Sequence, residues 1–212
     1  MKGIKHIVKG APILPILQAD SVEQALNIAK AVEASGLKNL EVVRRTDAAA
    51  ASVTAIREAF PDMVVGMGTV LSPEHAKEAV EAGSQFLVTP TVSPRLLDGL
   101  MSSGVPFIPG TSNPADILMA SEYGLTELKF FPAHLSGGAP MLKALGGIFQ
   151  NISFCPTGGI SGSNLNDYLG LKNVFAVGGS WMIPSDMVKA ENWQGITDTC
   201  KQALEAFEGL RP

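Results

Sequence analysis

A (β/α)8 barrel is the fold class this sequence predicts, on three observations. Short apolar runs recur along the 212 residues, eight in all. From the second run onward their ends lie 20 to 26 residues apart, room for one strand and one crossover helix. Helix-start signatures fall between them. The length is near the lower limit of roughly 200 residues for such a barrel, and an open, doubly wound sheet is the other arrangement that the alternation allows.

The first run, 12–17, follows Lys2, Lys5 and Lys9 and so has the outline of a signal peptide. Pro12 and Pro15 interrupt it and no small-residue cleavage site follows, so it reads as the first core strand. Ser21 and Gln24 have capping-box spacing and open a helix over 21–35, which Gly36 ends by supplying a left-handed residue. Run 40–43 is the second strand and run 64–67 the third, followed by Ser72-Pro73. Run 86–88 precedes Ser93-Pro94, and run 106–108 precedes Asn113-Pro114. Each of these pairs sets an N-cap side chain before a proline whose missing N–H costs nothing in the first turn. Runs 127–131, 152–156 and 174–177 complete the set. With no linker or composition shift, residues 1–212 read as a single barrel domain.

Composition narrows the function classes. Hydrophobic residues make up 46 % and charged residues 17 %, which suits a folded domain rather than a disordered chain. A net charge of -4 argues against a nucleic-acid partner, which would need a basic face. No apolar run approaches the ~20 residues a membrane span needs. Cys155 and Cys200 stand far apart without a Cys-x-x-Cys or Cys/His cluster, so neither a disulfide framework nor structural zinc is expected, and a cytoplasmic location fits.

In this fold the active site lies at the C-terminal ends of the strands. The second strand ends Leu40-Glu41-Val42-Val43-Arg44-Arg45-Thr46, and a period of two sets Glu41, Val43 and Arg45 on one face. Taken alone, Glu41 is expected to pair with a nearby Arg or to mark a solvated strand end. The sixth strand, Leu128-Lys129-Phe130-Phe131-Pro132, places one lysine among large apolar groups with no acidic residue close after it. Keeping such an ammonium charged is costly, and a neutral amine is what a Schiff-base nucleophile requires; a lysine that snorkels outward is the structural alternative. Parity sets either Lys129 and Phe131, or Leu128 and Phe130, toward the lumen.

The seventh and eighth strands end Thr157-Gly158-Gly159-Ile160-Ser161 and Val177-Gly178-Gly179-Ser180. Glycine pairs after these two strands favour a phosphate site built from backbone N–H groups. His6, His75 and His134 are isolated, so no metal centre is expected, and no Gly-x-Ser-x-Gly nucleophile elbow occurs. Cys155 reads as core, and His134, five positions after Lys129, is a minor candidate above the barrel.

Five segments together resemble the KDPG/KHG aldolase family: Leu40-Glu41-Val42 with Arg45-Thr46, Gly66-Met67-Gly68-Thr69-Val70, Leu128 to Ala133, Phe154 to Ile160, and Val177 to Trp181. Members act on 2-keto-3-deoxy-6-phosphogluconate and 4-hydroxy-2-oxoglutarate. The resemblance spans nearly the whole chain and implies a homotrimeric, metal-free class I aldolase of the Entner–Doudoroff route that needs no cofactor. It implies Lys129 as the Schiff-base lysine and Glu41 as the general acid/base. It also implies Arg45 and Thr69 on the pyruvyl carboxylate, Pro90 and Phe131 packing the pocket, and Thr157 on the substrate hydroxyls. Gly158, Gly159, Gly179 and Ser180 would receive the phosphate. Four positions depart from the family pattern: Val43, Arg44, Thr91 and His134. Arg44 has outward parity, suited to a helix or a neighbouring subunit, while Thr91 and His134 are expected at the pocket mouth. The rivals are a sibling aldolase for the galactonate epimer, with Thr157 reading the hydroxyl orientation, and a phosphate-sugar isomerase or binding barrel in which Lys129 is incidental.

Overall fold

The capping side chains act where the sequence places them. In this computed structural model, which describes residues 3–8 and 10–208, Ser21, Ser72 and Ser93 accept from the backbone N–H of Gln24, His75 and Leu96. Gln24 differs from the capping-box expectation: its Oε1 accepts from the Asp20 amide at 2.9 Å, one residue before the N-cap. Gly36 takes φ +97° after the first helix, a backbone region a side chain would disfavour. Asn113 Oδ1 accepts from both Ala115 and Asp116, at 2.9 and 3.1 Å. Asn113→Ala should therefore cost about 1 kcal/mol, read as a lower denaturation midpoint with an unchanged m-value.

Strands and helices alternate in chain order: β1 (Ile13–Leu17), α1 (Val22–Ala34), β2 (Asn39–Val43), α2 (Ala49–Ala59), β3 (Val64–Gly68), α3 (Pro73–Glu81), β4 (Leu87–Val88) and α4 (Pro94–Ser102). They continue as β5 (Phe107–Ile108), β6 (Gly110–Thr111), α5 (Pro114–Glu122), β7 (Glu127–Phe130), α6 (Gly138–Ile148), β8 (Ser153–Pro156), α7 (Leu165–Leu169), β9 (Val177–Gly179), α8 (Ser185–Lys189) and α9 (Trp193–Glu208). Every ladder is parallel. One sheet runs β5-β4-β3-β2-β1-β9 and the other β6-β7-β8. Isolated parallel bridges Phe154↔Val174 and Thr157↔Gly178 bring the β8 side against the segment leading through β9. The result is an α/β fold with a curled parallel sheet.

Two strands differ from expectation. The run at 106–108 continues to Thr111 but divides at Pro109, which has no N–H for the ladder, giving β5 and β6. The last strand is Val177–Gly179 rather than 174–177, because Val174 makes only a single bridge and the ladder to β1 begins at the Ile13↔Val177 pair.

The core has two parts. Between sheet and helices lies the larger, including Leu17, Leu40, Val42, Val65, Leu128 and Phe130. The smaller collects Ile4, Val8, Leu14, Phe86, Val88, Ile108, Cys155, Phe175 and Ala176 on the inner side of the curl. Alternation along each strand produces the division: Leu14 is in the smaller cluster, Ile13 and Leu17 in the larger. The Glu127 carboxylate accepts from the Lys5 amide at 2.7 Å and ties the N-terminal segment across the start of β7.

Candidate active site

At the C-terminal ends of the strands, the inward residues beyond the small core line a cavity of about 900 Å³. Glu41, Val43 and Arg45 reach it from the β2 side, whereas Leu40 and Val42 pack toward the helices, as the period of two requires. Lys129 and Phe131 enter it from β7, with Leu128 and Phe130 turned away. Of the two directions parity allowed, the lysine takes the inward one.

Glu41 is 1 % exposed and Lys129 5 %. Lys129 Nζ lies 3.7 Å from Glu41 Oε1, an ion pair too long for a hydrogen bond, and 5.1 Å from the centre of the Phe131 ring. Both carboxylate oxygens of Glu41 lack a hydrogen-bond partner among the described residues. The expectations for Glu41 of an arginine partner or a solvated strand end are therefore corrected: it is buried and its cation is Lys129. The lysine has a fixed acidic partner, which its own strand could not reveal because that partner comes from β2. A buried pair without satisfying hydrogen bonds is a poor stabilising device. It is a good arrangement for an amine and a proton carrier that must meet a third group. Cys155 is the register neighbour of Lys129. Burial pushes its thiol up to about 12, the lysine charge opposing that shift and the Glu41 charge adding to it. It stays a thiol at neutral pH and belongs to the core, as expected.

Arg45, Thr69 and Pro90 line the same cavity, with Arg45 exposed at its edge. Thr69 has φ +60°, a left-handed conformation that costs a β-branched residue of order 1–3 kcal/mol and that the surrounding fold must hold. Thr157, Gly158, Gly159, Gly179 and Ser180 line it from the ends of β8 and β9. Gly158 and Gly159 both have positive φ, +94° and +76°, which turns the loop so that its amides are not taken up by a ladder. Among the hydrogen bonds of the described residues, neither of these two amides donates to protein. Ser180 is exposed. All eleven site residues expected from the sequence therefore line one cavity.

Several lining residues were not foreseen. Gln18, Asp20 and Gln24 contribute from the end of β1 and the start of α1, and Ser185, Asp186 and Lys189 from α8. Gln18 and Asp20 follow the first apolar run as Arg45 follows the second, so inspecting every strand end would have found them. Lys189 is exposed and forms no ion pair among the described residues. Of the departing positions, Val43 lines the cavity, and Arg44 points outward and pairs with Glu78 of α3 at 2.7 Å. Thr91 and His134 are exposed, Thr91 directly after the lining residue Pro90 and His134 against the lining Gly158 and Gly159. The His134 amide donates to the Gly158 carbonyl at 3.0 Å, and its Cβ packs against Gly159. His6 is exposed, and the ring of His75 accepts from the Leu71 amide at 3.3 Å. Among the described residues, no three His, Cys, Asp or Glu side chains gather as a metal site, and no helix is long and apolar enough to cross a membrane.

The chain has counterparts among known proteins. The KHG/KDPG aldolase of Escherichia coli K12 is 41 % identical over 207 residues, 98 % of this chain and 96 % of that one. The structure of KDPG aldolase from Legionella pneumophila, with pyruvate captured as a covalent carbinolamine intermediate, has a TM-score of 0.92 at 37 % identity and covers 96 % of this chain and 98 % of its own. That of the 2-keto-3-deoxy-6-phosphogluconate aldolase of Zymomonas mobilis ZM4 with 3-phosphoglycerate has a TM-score of 0.88 at 36 % identity, covering 95 % and 94 %. Residues 4–199 match the aldolase family described as KDPG and KHG aldolase. On its sequence over nearly its whole length, the chain belongs to that family.

Proposed function

We propose that this protein is a metal-independent class I aldolase that cleaves 2-keto-3-deoxy-6-phosphogluconate to pyruvate and glyceraldehyde 3-phosphate, and 4-hydroxy-2-oxoglutarate to pyruvate and glyoxylate. The observation that carries this reading is the buried Lys129–Glu41 pair at 3.7 Å, with both carboxylate oxygens lacking hydrogen bonds and facing a cavity. A carbinolamine, such as that captured in the Legionella enzyme, is the adduct of an amine and a carbonyl carbon, and Lys129 is the buried amine of this cavity.

The Lys129 amine attacks the C2 ketone, and Glu41 moves the protons that turn the carbinolamine into a protonated imine with loss of water. The imine is the electron sink, so the reaction draws on no metal. Glu41 takes the C4 hydroxyl proton as the C3–C4 bond breaks and the aldehyde leaves. The bonding electrons become the enamine of pyruvate. Protonation at C3 and hydrolysis of the imine release pyruvate and restore the amine. Arg45 holds the carboxylate with charge-assisted hydrogen bonds, Thr69 beside it, while Pro90 and Phe131 pack the pyruvyl group. Thr157 contacts the substrate hydroxyls.

The free amides of Gly158 and Gly159, the Ser180 hydroxyl and the Lys189 ammonium receive the phosphate, with Gly179 giving it close approach to the end of β9. Hydrogen bonds to charged groups contribute about 1.5–3 kcal/mol. Ser180→Ala and Lys189→Ala should therefore each raise KM for the phosphorylated keto-acid by about tenfold or more. Turnover of 4-hydroxy-2-oxoglutarate should not change. Steady-state kinetics on both substrates checks this, and an equal effect on both would remove Ser180 and Lys189 from the phosphate site.

The same reading closes the two sheets into one (β/α)8 barrel spanning 1–212, supported by the bridges beside β9 and the continuity of β5 with β6. It makes the protein a cytoplasmic homotrimer, supported by the family resemblance. Leu71 and Leu118, about half exposed, are among the apolar side chains a subunit contact would cover.

A further inference from the structure

A carboxylate enters the inside of a parallel sheet only if the neighbouring strand leaves room for it. Glu41 lies in the middle of β2, and β3 runs beside it with Val43 paired to Gly68. The space a side chain at 68 would take is already filled by Glu41. A Cβ there would lie 2.7 Å from the Glu41 carboxyl carbon and 2.8 Å from its Cγ, and closer still to Oε1. Real Cβ atoms do not come so near. Glu41 cannot give way without moving its Oε1 from the Lys129 ammonium, because that is the oxygen that makes the 3.7 Å pair. Gly68 does not have a positive φ, so the glycine is required here for space rather than for backbone freedom. The next residue is Thr69, held at φ +60° in the cavity wall, so a shift of the backbone to relieve the clash would move that hydroxyl as well.

We infer that Gly68 is a positioning residue of the reaction: it touches no substrate, and its missing side chain holds the Glu41 carboxylate at the Lys129 amine and beside the substrate carbons. The inference rests on the aldolase reading and concerns how its base is aimed. Any side chain at 68, alanine included, swings the carboxylate away, and a displacement of about 1 Å at a reacting group can cost 10²-fold in rate.

The test follows exchange of the pyruvate C3 protons for solvent deuterons by NMR. This exchange passes through the Lys129 imine and its enamine and needs a base at that carbon. The parent protein is measured first: if it neither exchanges nor forms a borohydride-reduced pyruvyl adduct, the aldolase reading itself fails. If it does both, Gly68→Ala should exchange about 10²-fold more slowly. In a Glu41→Ala background the obstructing side chain is gone, and adding Gly68→Ala should change neither exchange by more than about twofold nor the melting temperature. A merely structural glycine would show its cost in both backgrounds. Should Gly68→Ala fail to fold, the pair in the Glu41→Ala background still decides. Glu41→Ala/Gly68→Ala folding as Glu41→Ala does supports the inference, and its failing to fold overturns it. Exchange by Gly68→Ala within about twofold of the parent overturns it too, as does a loss that recurs when Glu41 is absent.

Discussion

Lys129→Met is expected to yield a folded protein that produces no pyruvate from either keto-acid, at least about 10⁴-fold below the parent in kcat. Methionine keeps an unbranched apolar stem, one atom shorter, while removing the amine, so the packing against Phe131 and beside Cys155 of the neighbouring strand largely survives. The covalent intermediate does not. Each later step depends on the imine as electron sink, so losing the amine cannot be offset by Glu41, Arg45 or the glycine loops. Folding has to be checked beside turnover, because the variant strands the buried Glu41 without its cation, and breaking a buried pair can cost about 3–5 kcal/mol. A folded Lys129→Met protein with parental turnover would remove the lysine from the chemistry.

Glu41→Gln should be the second largest loss, about 10²–10⁴-fold in kcat, the usual range for a positioned general acid/base. Glutamine is nearly isosteric and fits the space above Gly68, so the fold and the cavity should persist. Loss of the proton carrier slows carbinolamine dehydration, C3–C4 cleavage and enamine protonation together. The amine remains, so pyruvate should still be trapped on Lys129, only more slowly. That separates the two roles: Lys129→Met traps nothing, while Glu41→Gln traps with delay. Trapping at the parental rate together with undiminished turnover would return Glu41 to a structural role.

The parity of two strands made much of this site legible. Glu41, Val43 and Arg45 share a face, as do Lys129 and Phe131, and both faces meet at the cavity. The proline-marked helix starts were legible because the capping side chain and the missing N–H act within one turn. Distance across strands was not legible. Nothing in the neighbourhood of Lys129 in the sequence reveals that its partner stands on β2, so Glu41 taken alone read as an arginine partner or a solvated strand end, and only the family resemblance gave it the role of general acid/base. Strand ends rich in glycine were misjudged for a different reason. Val174, Phe175 and Ala176 have strong strand character, yet Phe175 and Ala176 fill the inner core while the ladder falls to Val177–Gly179. Thr91 and His134 were expected at the mouth from their nearness in sequence to Pro90 and Phe131; both are exposed, and the His134 amide donates to the Gly158 carbonyl of the lining loop at 3.0 Å.

The measurement that bears most directly on the central claim is the intact mass of the protein after incubation with pyruvate and borohydride, followed by peptide mapping. The account predicts one reduced pyruvyl group per chain, on Lys129 and not on the exposed Lys189 of the same cavity. A folded protein that gains no mass, or carries its adduct on another lysine, would contradict it.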